Sequence, residues 1–209
     1  METVIQKPLI KKIIDESYIA KAMNYDEYRR LIDALIIVGR STATKESESL
    51  LAYSKLNVSR MKRLDKTIEI IPELRQAIEK ITTYETWLVL TEGWCGDAAQ
   101  LIPLFAKIEQ LNKNISLGFL LRDENLELMD AYLYNGKSRS IPKLIALNSN
   151  NEELFNFGPR PKVLQEWFLH MRANGVNNNT LKEELHKWYA KDKTLTTQHE
   201  LVQLLNEVI

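Results

Sequence analysis

The sequence predicts an α/β fold, a central mixed sheet flanked by helices, with helical extensions before and after it. Three observations point there. Two apolar runs of strand length, 87–90 and 115–121, bracket a stretch at 97–111 whose apolar residues fall at helical spacing, an order that makes a parallel pair with a right-handed crossover. Two further short runs, 143–147 and 153–157, are joined only by an Asn- and Ser-rich turn at 148–151 and should pair as an antiparallel hairpin. Both ends of the chain carry helical periodicity and capping boxes but no strand pattern.

Taken in order, Asn24 with Glu27 three residues later opens a helix in which Tyr28, Leu31, Ile32, Leu35 and Val38 recur until Gly39 stops it. Shorter helices are expected at 47–53 and 58–64. A fourth, at 72–81, places Leu74, Ala77, Ile78 and Ile81 on one face behind a first-turn proline. The crossover helix aligns Leu101, Leu104, Phe105, Ile108 and Leu111. A helix at 124–134 precedes the hairpin, and one at 162–172 follows it with Val163, Trp167 and Phe168 on a face. Residues 174–179 read as a linker. Thr180 with Glu183 and Thr197 with Glu200 then form capping boxes ahead of two amphipathic helices, whose stripes carry Leu181, Leu185 and Trp188, then Leu201, Leu204, Leu205 and Val208. The expected division is a helical extension at 1–66, an α/β domain at 67–173 and a second helical extension at 174–209.

At 209 residues, 44% hydrophobic and 27% charged, the chain has the composition of a folded globular protein with a sizeable core. Lys plus Arg and Asp plus Glu both total 28, so no net charge draws it to nucleic acid or to anionic lipid. No apolar run reaches the ~20 residues that cross a bilayer, and residues 1–14 interrupt their apolar positions with Glu2, Lys7, Lys11 and Lys12. The expected location is the cytoplasm, with no nucleic-acid or membrane partner. One cysteine, Cys95, excludes an intramolecular disulfide and a Cys-rich zinc site. His170, His186 and His199 show no ligand spacing, and neither a metal nor a cofactor is expected.

Cys95 stands between a buried strand and a helix, in Glu92-Gly93-Trp94-Cys95-Gly96-Asp97-Ala98. A thiol at a helix N-terminus faces unpaired N–H groups and the positive end of the helix dipole, which favour thiolate. The alternative is a small buried hydrophobe, a common fate of a lone cysteine. Asp97 can cap the helix, while its charge works against the thiolate.

Here the sequence resembles the thioredoxin superfamily. Trp94-Cys95-Gly96 is similar to the start of the family's Trp-Cys-Gly-Pro-Cys site, and Pro103 lies where the active-site helix carries its kinking proline. Ile141-Pro142 resembles the cis-proline dipeptide, and Gly158 the glycine after the last strand. The resemblance covers roughly residues 67–173, about half of the chain, and implies a thioredoxin-like fold. More narrowly, residues 92–100, 121–125 and 158–161, behind a helical leader containing Asn57 to Thr67, resemble a bacterial group of thioredoxin-family proteins carrying a Trp-Cys-Gly-Asp-Ala variant of the site.

The departures bear on activity. Ala98 occupies the position of the resolving cysteine, so a dithiol cycle cannot run within the chain. Val89 stands where the family carries a buried acid. What the resemblance leaves is a monothiol route: Cys95 attacks a disulfide, and a small thiol or a partner cysteine resolves the adduct. The surrounding residues are Trp94, Gly96, Asp97, Ala98, Ile141 and Pro142. Arg139 and Arg160 border this surface, where they can hold a carboxylate-bearing ligand, pair with Asp97, or remain solvated.

Two functions of different class follow. One is a monothiol thiol-disulfide oxidoreductase acting on a protein or low-molecular-weight thiol or disulfide, with an exposed Cys95 of depressed pKa. The other is a non-catalytic thioredoxin-fold module for protein binding or redox sensing. The helical extensions offer a face for a partner or for a homodimer.

Overall fold

The computed structural model describes residues 14–208, so Glu2, Lys7, Lys11 and Lys12 of the N-terminal stretch lie outside the described residues. The elements are α1 (Glu16–Lys21), α2 (Tyr25–Ile37), α3 (Glu48–Thr67), α4 (Pro72–Glu79), β1 (Glu85–Thr91), α5 (Ala98–Glu109), β2 (Ile115–Leu121), α6 (Leu126–Ala131), β3 (Lys143–Leu147), β4 (Glu153–Phe157), α7 (Lys162–Ala173), α8 (Asn178–Asp192) and α9 (Leu195–Val208). The sheet order is β2-β1-β3-β4. β1 pairs parallel with β2 and antiparallel with β3, and β3 pairs antiparallel with β4, which makes the mixed, helix-flanked sheet of a thioredoxin-like α/β fold.

β1 is central, and every one of its residues is buried. That is why its apolar run does not alternate. The free edge of β2 is covered from the N-terminal side: Met23 and Phe119 exchange backbone hydrogen bonds of 2.9 and 2.7 Å, and Tyr28 stacks on Phe119 with ring centroids 5.1 Å apart. Pairing that edge removes a row of open donors and acceptors. The other edge, β4, is flanked by α9, and α4 packs on α9. The extended segment between α3 and α4 is fastened by Gln198 of α9, whose amide accepts from Ile71 N (2.9 Å) and donates to the Glu69 carbonyl (2.9 Å).

Four local expectations are corrected. The helices expected at 47–53 and 58–64 form one 20-residue helix, α3. The polar residues between them do not break it, because Ser54 donates back to the Leu50 carbonyl and Asn57 is buried with a long-range partner. The helix expected at 124–134 is a 3-10 turn at Arg122–Glu124 followed by the short α6. Thr180 does not cap α8: Asn177 accepts from both Asn179 N and Thr180 N and starts the helix earlier. Thr197 is fully buried inside α9, and Glu200 accepts from Lys162 N (2.7 Å) instead of completing a box.

The apolar stripes of α8 and α9 are taken up within the chain, with Leu181, Leu185, Leu201 and Leu205 all buried. No helix among the described residues is long and apolar enough to cross a membrane.

Candidate functional site

The end of β1 delivers the chain into α5 through Glu92, Gly93, Trp94, Cys95, Gly96 and Asp97. Several parts of the fold hold these residues. Asn57 of α3 donates to the Gly93 carbonyl (2.9 Å), and Thr42 donates to Glu92 and accepts from Gly93 N (3.0 Å). α3 and the loop before it therefore grip the strand end before the cysteine is reached. Pro103 lies within α5 and is buried.

Cys95 is 7% exposed. Its thiol donates to the Ile141 carbonyl (3.4 Å), and Sγ receives the Ala98 N–H at 3.5 Å. The Ile141-Pro142 bond is cis, so this carbonyl belongs to the residue preceding the cis-proline. The helix N-terminus does act on the sulfur, as the Ala98 contact shows. Burial outweighs it, and with the nearby Asp97 charge pushes the thiol up to about 12. The exposed, acidic thiol expected of a monothiol enzyme is not what this conformation presents.

Asp97 starts α5 but makes no capping bond with its side chain. Its carboxylate instead accepts from Arg160 Nε (2.8 Å) and Nη2 (2.7 Å), and from the Tyr189 hydroxyl (2.9 Å). A bidentate guanidinium is a stronger partner than a backbone N–H, so it wins the carboxylate. Arg160 also donates to Gln165 and lies over the Phe168 ring at 4.2 Å. Of the two arginines considered from the sequence, Arg160 thus reaches the site and is fully engaged there. Arg139 does not join it: exposed, it forms a bidentate pair with Asp130 (2.6 and 2.7 Å).

Trp94 is half-buried beneath the Arg122 guanidinium, 5.0 Å from its ring centroid, and its indole N–H has no partner among the described residues. Gly96 permits the approach of α8. A Cβ there would lie 2.9 Å from two atoms of the His186 imidazole. His186 in turn pairs with the Gln100 amide (3.2 Å), and burial, with Arg60 nearby, depresses its pKa to about 4. It is a neutral packing group over the turn. Ala98 is buried, and Val89 is enclosed between Phe119 and Leu144.

Sequence reasoning missed the contributions of Asn57, Thr42, His186 and Tyr189. The only available signal was that His186, Leu185 and Tyr189 share a face of α8, which by itself reads as packing. Glu92 also proves central: fully buried, it accepts from Thr42 and from Asp123 N (2.9 Å), and burial raises its pKa to about 7. Among the described residues no cluster of His, Cys, Asp and Glu has the arrangement of a metal site.

A family model described as thioredoxin matches residues 43–174, more than half of the chain. A crystal structure of a protein of unknown function from Pseudomonas aeruginosa is similar, with 17% identity and a TM-score of 0.57, covering 90% of this chain and 99% of that one. A crystal structure of an HIV epitope-scaffold is similar at 15% identity and a TM-score of 0.56, covering 90% of this chain and all of that one. Both likenesses concern the fold. No curated protein matches the chain.

Proposed function

The chain belongs to the thioredoxin superfamily, and from that premise we propose that it is a thioredoxin-fold binding and redox-sensing module whose single thiol is kept masked. The observation that carries this reading is the state of Cys95: 7% exposed, bonded to the Ile141 carbonyl and pushed up to about 12. A thiol in that state supplies almost no thiolate near neutrality. No second cysteine exists to resolve an adduct. The partner is a protein or a low-molecular-weight disulfide that engages Cys95 when the helices above it give way. In that event the Cys95 thiolate attacks one sulfur of the disulfide, a new S–S bond forms, and the other half leaves as a thiolate.

A second reading, turnover as a monothiol oxidoreductase, is favoured by the placement of Cys95 at the start of α5 against the carbonyl before Pro142. It requires a conformation in which the thiol is open and its pKa falls.

One measurement separates them: the alkylation rate of Cys95 in the folded protein from acid to alkaline pH, with the unfolded protein as reference. The module reading expects slow alkylation that keeps rising through the ordinary thiol range. A plateau below ~8.5 overturns it in favour of the enzyme.

A further inference from the structure

Between α3 and α8 runs a groove of about 640 Å³, within the range typical of small-molecule sites. Its walls combine two chemistries. Tyr53, Leu56 and Ala190 give an apolar surface, and Leu56 is 46% exposed. Arg60 and Lys182 bring positive charge from opposite helices. Neither forms an ion pair among the described residues. Arg60 donates to Asn57 Oδ1 (2.9 Å), while Lys182 donates to the Tyr53 hydroxyl (2.9 Å) and sits 4.4 Å from its ring centroid.

An unpaired, half-buried guanidinium is costly, and it is the kind of group that an anion stabilises. Burial together with neighbouring Arg63 lowers the Arg60 pKa, and the charge of Asp97 offsets this only in part. Asp97 itself is already held by Arg160. His186 also borders the groove, but as a neutral ring.

We propose that the α3/α8 groove binds a monocarboxylate with an apolar body, its carboxylate between Arg60 and Lys182 and its hydrocarbon against Tyr53 and Leu56. Glu183 on the groove wall argues for a single negative charge, because a polyanion filling the groove would meet it. The same chemistry occurs in a free organic acid and at the C-terminus of a peptide ending in an apolar residue. The site is distinct from the thiol, although Lys182 and His186 also line the small cavity that reaches Gly96 and Asp97.

Titration of the full chain with octanoate and with 4-phenylbutyrate, followed by calorimetry and by backbone NMR shifts, tests this directly. Saturable binding is expected, with shifts on α3 and α8, and octanamide should bind about tenfold more weakly because it lacks the charge. Lys182→Gln, at an exposed position, and Arg60→Gln should each weaken octanoate about fivefold or more, while Lys113→Gln on a distant loop should not. If Arg60→Gln fails to fold, as judged by circular dichroism, Lys182→Gln alone decides. A leucine-terminated tetrapeptide, compared as free acid and as amide, distinguishes a peptide terminus from a small acid. No saturable binding of any of these acids, equal binding of octanoate and octanamide, or undiminished binding by Lys182→Gln overturns the proposal.

Discussion

Arg160, from the loop after β4, closes a two-pronged ion pair on Asp97 at the start of α5, with Nε–Oδ1 at 2.8 Å and Nη2–Oδ2 at 2.7 Å. The two residues are 63 positions apart and both side chains are close to fully enclosed, at 13% and 12% exposure. Tyr189 of α8 donates to the same carboxylate. One acidic residue two positions after the cysteine therefore joins the turn between β1 and α5, the loop after the hairpin and the C-terminal helices.

Replacing Asp97 with Asn leaves the Arg160 guanidinium enclosed without its counter-charge. Breaking such a pair costs about 3 kcal/mol, which urea denaturation will read as a lower midpoint. The same change removes the anion that is the second cause, after burial, of the high Cys95 pKa. Asp97→Asn should therefore alkylate faster than the parent at a given pH while still folded. An unchanged pH profile would show that burial alone sets the thiol.

Gly96→Ala should push the His186 ring off the turn, since the new Cβ meets two of its atoms at 2.9 Å. The expected loss is about 1 to 3 kcal/mol, and it should shrink in a His186→Ala background. A double-mutant cycle on denaturant midpoints measures this. Additive effects would mean that α8 does not sit on the turn in solution.

Glu92 carries a stability dependence on pH with a definite sign. Its folded pKa is raised to about 7 from an ordinary 4.5, so across that window the folded protein keeps a proton that the unfolded chain has lost. Stability should fall as pH rises from 4.5 to 7, by an amount on the order of 3 kcal/mol, and the contribution should be constant above it. Glu92→Gln, which keeps an acceptor for Asp123 N, should flatten that slope. Thermal melts of both proteins across the window provide the comparison.

Gly158 has φ of +116°, and a Cβ there would come within 2.2 Å of the Pro142 carbonyl oxygen. Backbone atoms cannot step aside as a side-chain end can. Gly158→Ala should cost on the order of 3 kcal/mol or prevent folding, whereas Gly136→Ala, with no atom within 4 Å of its Cβ, should lose only what its positive φ imposes. Equal losses at the two glycines would remove close packing as the cause.

The sheet and its crossover helix were legible along the chain because their signals are local. The runs at 87–90, 115–121, 143–147 and 153–157 become β1 to β4, and the helical spacing at 97–111 becomes α5, since apolar periodicity follows from which face must be buried. The helix starts were harder. Asn24 caps α2 through the expected box with Glu27, but at α8 Asn177 caps the helix three residues before Thr180 by accepting from Asn179 N and Thr180 N, which leaves Thr180 inside the first turn.

For the site, sequence by itself placed Cys95 between strand and helix, left it without a second thiol, and put Pro142 before β3. It could not state that Cys95 is buried and protonated, that Asp97 abandons its cap for Arg160, or that Arg139 turns to Asp130. Each of those outcomes depends on groups tens of residues away, and on how much water the helical extensions exclude. Burial and charge pairing are sums over neighbours in space, so the state of the thiol emerges only when the fold brings the Ile141 carbonyl, Asp97 and Arg160 to it.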